Sequence, residues 1–134
     1  MKDVLEHLPD TVGTLEELYR ITRPGARVYL TVPYWNSLTA TGDPTHVRFF
    51  NEHSLSFFDP DAWQCRERPY YSRARFHIRA LGVMITPFEA IGRVRGLTRD
   101  FTIRSTAGRK VLLVLASFFC NVVSGLEFHL ERAS

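Results

Sequence analysis

Between Thr14 and Pro33 the chain sets out three elements in immediate succession: a capped helix, a Pro-Gly stop and a strand that is apolar or neutral on both faces. Thr14 and Glu17 form a T-x-x-E pair, the capping box in which hydroxyl and carboxylate satisfy the free N–H groups of a helix start. Leu15, Leu18 and Tyr19 share one face of the helix expected over Thr14–Thr22. Glu16 is spaced to pair with Arg20 one turn on, and Arg20 and Arg23 suit the negative C-terminal end. Pro24-Gly25 stops the helix. In Arg27–Pro33, Val28, Leu30 and Val32 alternate with Tyr29 and Thr31, which are strand formers too. A strand of that kind belongs inside a sheet covered on both sides. Helix, turn and buried strand make the second half of a β-α-β unit. Its first strand is then Asp3–Leu5, a stub beside the roughly five residues of an ordinary strand.

The remainder reads more coarsely. The stretch from Tyr34 to Asp61 is loop-like, with one helical turn near Ser54–Phe58. A strand is expected over Arg75–Ile85 and a short one at Phe101 and Ile103, while 86–109 otherwise carries no assignable pattern. Lys110–Val123 predicts a helix apolar nearly all round, broken by Gly125. Leu126, Phe128 and Leu130 then alternate with Glu127, His129 and Glu131, the pattern of a strand with one wet face. No repeat or linker divides the 134 residues, so residues 1–134 are expected to form a single domain.

Composition removes several classes of function. With 45% hydrophobic and 23% charged residues the chain is not a disordered one. Cys65 and Cys120 cannot build a disulfide framework, which makes a reducing cytoplasm the expected setting. Met1–Asp10 carries three acids and no apolar run, so a signal peptide is not expected. Val111–Phe119, the longest apolar stretch, falls far short of the ~20 residues that span a bilayer, so no stable membrane insertion is expected. His7, His46, His53, His77 and His129 form no H-x-H or H-x-x-x-H pair, and no C-x-x-C occurs, so spacing predicts no metal site. The net charge of +3 is uneven, with acids dominating before Trp63 and ten arginines lying between Trp63 and Lys110. Those arginines keep no fixed spacing and recur on no single face, so they read as a compositional preference and no nucleic-acid partner is expected.

Three segments carry a family likeness. Asp3-Val4-Leu5-Glu6-His7-Leu8-Pro9-Asp10, Leu15-Glu16-Glu17-Leu18-Tyr19-Arg20, and Arg23-Pro24-Gly25-Ala26-Arg27 with Leu30-Thr31-Val32-Pro33 resemble class I S-adenosylmethionine-dependent methyltransferases of the type 11 group. In that family the D-V-L-E-H stretch ends the fourth strand, a helix follows, and a P-G-G turn leads to the fifth; here Ala26 replaces the second glycine. Asp43-Pro44-Thr45-His46-Val47-Arg48-Phe49-Phe50 is similar to a D-P-T-H-x-R-x-F segment of one branch of these enzymes. The likeness is strong over residues 3–60 and thin beyond.

The resemblance implies an α/β fold: the C-terminal part of a doubly wound, Rossmann-like sheet, with Arg27–Pro33 parallel to its neighbour and Leu126–Glu131 the antiparallel last strand. It also implies a glycine-rich cofactor turn, yet no G-x-G occurs, so an N-terminally truncated methyltransferase domain is expected. Its cofactor is S-adenosylmethionine, which this chain alone is not expected to bind. By the same resemblance Val4, Leu5, Glu6 and His7 line the cofactor pocket; the bland alternative has Glu6 capping a turn and His7 packed under a loop. Tyr34 and Trp35 leave the next strand where aromatic faces can hold an apolar acceptor or the sulfonium, or simply pack a loop. His46 is the candidate general base, histidine being the side chain suited to proton transfer at neutral pH, with Asp43 orienting it; the alternative is an Asp-Pro turn with His46 as a cap. The function expected is methyl transfer to a small-molecule O or N acceptor. Two competitors stand beside it: a non-catalytic half that pairs with a second copy or a separate N-terminal half, and a membrane-surface protein.

Overall fold

The first helix begins one turn earlier than its T-x-x-E pair predicts. In the computed structural model, which describes residues 1–87 and 100–134, helix α1 spans Thr11–Ile21. Its N-cap is Asp10, whose carboxylate accepts from the Gly13 N–H at 2.8 Å. A side chain at Gly13 would fall on that carboxylate, so glycine and cap go together. Thr14 is thus inside the helix, its hydroxyl donating to the Asp10 carbonyl. Glu17, freed from capping, takes both guanidinium bonds of Arg20 at 2.6 and 2.8 Å. Glu16 does not pair with Arg20; it accepts from the Ser72 hydroxyl instead. Leu15 is fully buried, and Tyr19 meets Phe76 edge-on with ring centroids 5.8 Å apart.

Gly25 takes φ +77, the left-handed value that lets the chain turn out of α1. Strand β1 then runs Arg27–Pro33 as expected. Strand β2 spans Phe76–Ile85, β3 spans Phe101–Ile103 and β4 spans Gly125–Arg132. They make one sheet in the order β1-β4-β2-β3, and every pairing is antiparallel. β4 inserts between β1 and β2, and Arg79 is the extra residue of a bulge opposite Leu130 and His129.

This overturns the expected partial Rossmann-like sheet with parallel strands. The opening stretch was to supply the parallel neighbour of β1, yet it makes only a single parallel bridge, Lys2 to Thr31. Asp3 adopts φ 50, which ends the extended run, and Leu5–His7 coils into a 3-10 turn. The parallel partner therefore stops before it becomes a strand. The reversed direction of Leu126–Glu131 is as expected, but it describes the whole sheet.

The wet face of β4 also differs from its alternation. Leu126, Phe128 and Leu130 are buried, and so is Glu127 at 3% exposure. Tyr29, Arg104 and His129 close over its carboxylate. Helix α4 runs Thr106–Ala116 rather than Lys110–Val123, capped by Ser105. At its end Asn36 donates to the Ala116 carbonyl, and Asn121 turns the chain with φ 60. Two further short helices, α2 (Leu38–Gly42) and α3 (Trp63–Glu67), lie in the connections, and the helical turn near Ser54 is a 3-10 turn at Ser56–Phe58. The core joins Leu5 and Leu15 to Leu30 and Val32 of β1, Phe76 and Val83 of β2, and the apolar face of β4. Much of the 86–109 stretch falls outside the described residues. Among the described residues, no helix is long and apolar enough to cross a membrane.

Candidate functional site

The 3-10 turn Leu5–His7 forms where β1's short parallel neighbour gives out. Its geometry sends consecutive side chains different ways. Leu5 enters the core, Glu6 is buried at 1% exposure, and His7 is partly exposed. The segment that closes over them comes from 38 residues further along the chain. Ser37 caps α2 by accepting from the Ala40 N–H, and Asp43 then folds the chain back. Its Oδ1 accepts from the Thr45 N–H at 2.8 Å and from the Thr45 hydroxyl at 2.6 Å, the self-turn an Asp before Pro favours. The Val47 and Arg48 N–H groups donate to the Glu6 carbonyl at 2.9 and 3.1 Å. Arg48 Nη2 reaches the Pro9 carbonyl at 2.6 Å. The loop is strapped to the turn by two backbone bonds just after His46 and, just before it, by the Thr45 hydroxyl against His7 Nδ1.

Four candidate polar residues thereby meet. Nε2 of His7 and Nε2 of His46 each lie 4.0 Å from Glu6 Oε1, and His46 Nε2 lies 3.8 Å from Asp43 Oδ2. The two imidazoles stand edge-to-face with centroids 4.6 Å apart. All four residues border one cavity of about 710 Å³, whose wall also includes Val32 and Pro33.

The hydrogen bonds assign the tautomers. His46 Nδ1 is 2.9 Å from the Ala40 carbonyl, which can only accept, so Nδ1 carries the proton. The Thr45 hydroxyl proton is committed to Asp43, so its oxygen accepts from His7 Nδ1 at 3.0 Å. In the neutral state both Nε2 atoms are bare lone pairs turned towards Glu6. Neither Glu6 oxygen has a hydrogen-bond partner among the described residues. Burial raises the Glu6 pKa above the usual carboxylate value; its own backbone amide opposes this, Asp3 adds to it, and the two imidazoles oppose it. Asp43 moves the other way, held down by the Thr45 hydroxyl and N–H.

Asp43 was expected to orient His46, but the atom holding the ring is the Ala40 carbonyl; Asp43 stands at the free nitrogen. Of the residues expected to line a cofactor pocket, Glu6 and His7 border the cavity, Leu5 is in the core, and Val4 is exposed. Tyr34 is buried, its hydroxyl donating to Glu52 at 3.1 Å. Trp35 is exposed and borders a different, apolar cavity of about 470 Å³ with Leu38 and Phe49. Thr45 and the Ala40 carbonyl were not anticipated. The Asp-Pro-Thr turn signal marks Thr45, whereas nothing in the sequence marks a backbone oxygen. The cavity's far wall, where the Thr86 hydroxyl lies 2.9 Å from both Asp100 Oδ1 and Ser124 Oγ, was also unforeseen.

No protein-family model, curated protein or solved structure matches the chain.

Proposed function

We propose that the chain contributes the acceptor side of an S-adenosylmethionine-dependent methyltransferase acting on an O or N nucleophile of a small molecule. One observation carries this reading. The two segments that most resemble the family, D-V-L-E-H and D-P-T-H, have 35 residues between them and still converge on one cavity through His7, His46 and Glu6. The chemistry asks little of such a wall. His46 Nε2, a bare lone pair facing the cavity, accepts the acceptor's proton. S-adenosylmethionine, when bound, would supply the methyl group to the acceptor's oxygen or nitrogen, the C–S electron pair going to sulfur as a neutral thioether. Asp43, kept ionised by Thr45, stabilises the imidazolium that forms.

Methyl transfer also needs a glycine-rich cradle for the cofactor, and no G-x-G lies within these 134 residues. The role proposed for this chain is therefore the acceptor side alone. A reducing, cytoplasmic setting suits free thiols such as Cys65 and exposed Cys120. The test is calorimetry with S-adenosylmethionine on two samples. The isolated chain should give no measurable heat. The polypeptide purified from its native cells should bind in the micromolar range, and silence from that sample would overturn the proposal.

A further inference from the structure

Two groups of histidine and carboxylate donors come within ligating range among the described residues: Glu6, His7 and His46, and Asp59, Asp61 and His77. The second is already satisfied by protein. Asp59 accepts from the N–H groups of Asp61 and Ile78, and His77 Nδ1 is bonded to Asp61 at 2.8 Å. The first is the reverse. The Nδ1 atom of each ring is engaged outward, with Thr45 or the Ala40 carbonyl, and both Nε2 atoms lie within 4.8 Å of a Glu6 carboxylate oxygen and of each other. Glu6 lies at 1% exposure with both oxygens unpartnered among the described residues. A buried carboxylate without a donor is costly, and the nearest nitrogen of each imidazole stands 4.0 Å away, beyond hydrogen-bond reach.

We infer that Glu6 Oε1, His7 Nε2 and His46 Nε2 are the protein ligands of a borderline divalent transition-metal ion, of the Zn²⁺, Co²⁺ or Fe²⁺ class. A cation replaces every missing donor at once. Two imidazoles and one carboxylate suit these ions, whereas Mg²⁺ and Ca²⁺ prefer oxygen throughout. The three donor atoms lie within 4.8 Å of one another. Tetrahedral bonds of about 2.1 Å put ligands roughly 3.4 Å apart, so side-chain rotations closing the gaps by about 1 Å complete the site. The outer contacts are those of a metal centre. Each ring donates its second N–H to a fixed acceptor, the Ala40 carbonyl or the Thr45–Asp43 pair, which sets tautomer and orientation. Three protein ligands leave a fourth position towards the cavity, open to water or to an acceptor's oxygen, as in catalytic rather than closed structural sites. The binding does not depend on the methyl-transfer proposal.

The test is titration of the chelator-treated chain with Zn²⁺ alone, and separately with Co²⁺ followed by its visible ligand-field bands. One equivalent should bind with a dissociation constant on the order of 1 µM or tighter. Co²⁺ should show the intense bands of a four-coordinate ion, and Mg²⁺ should give no heat. Glu6→Gln and His46→Ala should each weaken Zn²⁺ binding by roughly tenfold or more, and His77→Ala should leave it unchanged. Far-UV circular dichroism checks that each variant folds. His7→Ala, at a partly exposed position, serves if the buried substitutions do not fold. Absence of Zn²⁺ binding, binding undiminished by Glu6→Gln or His7→Ala, or binding lost in His77→Ala overturns the inference. The titration contains no S-adenosylmethionine, so its failure leaves the methyl-transfer proposal standing, and the cofactor experiment leaves this one standing.

Discussion

His46 Nε2 stands 4.0 Å from Oε1 of Glu6, a carboxylate buried to 1% exposure that accepts no hydrogen bond among the described residues. Without a cation between them, the pair costs the folded state free energy. Glu6→Gln removes the charge while keeping the shape, and an amide can donate to either imidazole. We predict that it raises the stability of the metal-free chain by about 1 kcal/mol, a Tm increase of about 3–5 °C. The same substitution should abolish any stabilisation by Zn²⁺. Thermal melts with and without Zn²⁺ read both effects, and a metal-free variant less stable than the parent would show that Glu6 is satisfied as it stands.

His46 carries the second prediction. In the native polypeptide, His46→Ala should lower methyl-transfer turnover by about a hundredfold or more while S-adenosylmethionine affinity stays the same. Steady-state kinetics alongside cofactor titration separate the two quantities. Unchanged turnover would remove His46 from the mechanism.

How much of this was legible in the sequence depends on how local each cause is. β1 matched its expected bounds because alternation, β-branching and a Pro-Gly stop all act within a few residues. The start of α1 was misplaced because two capping signals compete: Asp10 with Gly13 and Thr14 with Glu17 both fit, and the chain uses the first. The loss of the expected parallel partner of β1 was not legible, because a single residue, Asp3, turns the chain out of extension after one bridge. The cluster of Glu6, His7 and His46 escaped a search by spacing for the same kind of reason. Its members come from two segments brought together by the backbone bonds to the Glu6 carbonyl and by the Thr45–His7 and Arg48–Pro9 bonds. The D-P-T-H turn marked one of those segments and the E-H pair the other, but nothing local said that they touch.

The competition at α1 is itself testable. Asp10→Ala should cost about 1 kcal/mol, the usual loss of an N-cap. Glu17→Ala removes only an exposed pair with Arg20 and should cost clearly less than the cap. Urea unfolding of the two variants compares them. A larger loss from Glu17 than from Asp10 would return the cap to the T-x-x-E box.

Gly82 makes room for its neighbours in the sheet. A methyl group there would lie 2.8 Å from the Thr102 methyl and 3.2 Å from Glu127 Cβ. Gly82→Ala should therefore destabilise by about 1–2 kcal/mol through overpacking. Thr102→Ser deletes the nearer methyl, so the double variant should recover most of that loss relative to Thr102→Ser alone. A double-mutant cycle by denaturant unfolding measures the coupling, and a cycle that sums without coupling would place the strain elsewhere.

Glu127 gives the pH dependence. Burial by itself would raise its pKa, but hydrogen bonds from His129 at 2.7 Å, from Arg104 at 2.7 and 2.9 Å and from Tyr29 at 3.1 Å outweigh it, and the net shift is downward. A carboxyl group whose folded pKa lies below its unfolded one stabilises the fold while it is ionised. That contribution is complete above the unfolded value, near 4.5, and fades as the pH falls through the lower folded value. Arg104 is mostly exposed, so solvent screens its share, and about 2 kcal/mol is expected for the whole network. Glu127→Gln should then be less stable than the parent by about that amount at pH 7, with the gap narrowing steadily below pH 4.5. Chemical denaturation across the acid range reads the gap directly. A difference that stays constant or widens on acidification would mean that Glu127 is held by its packing and not by its charge.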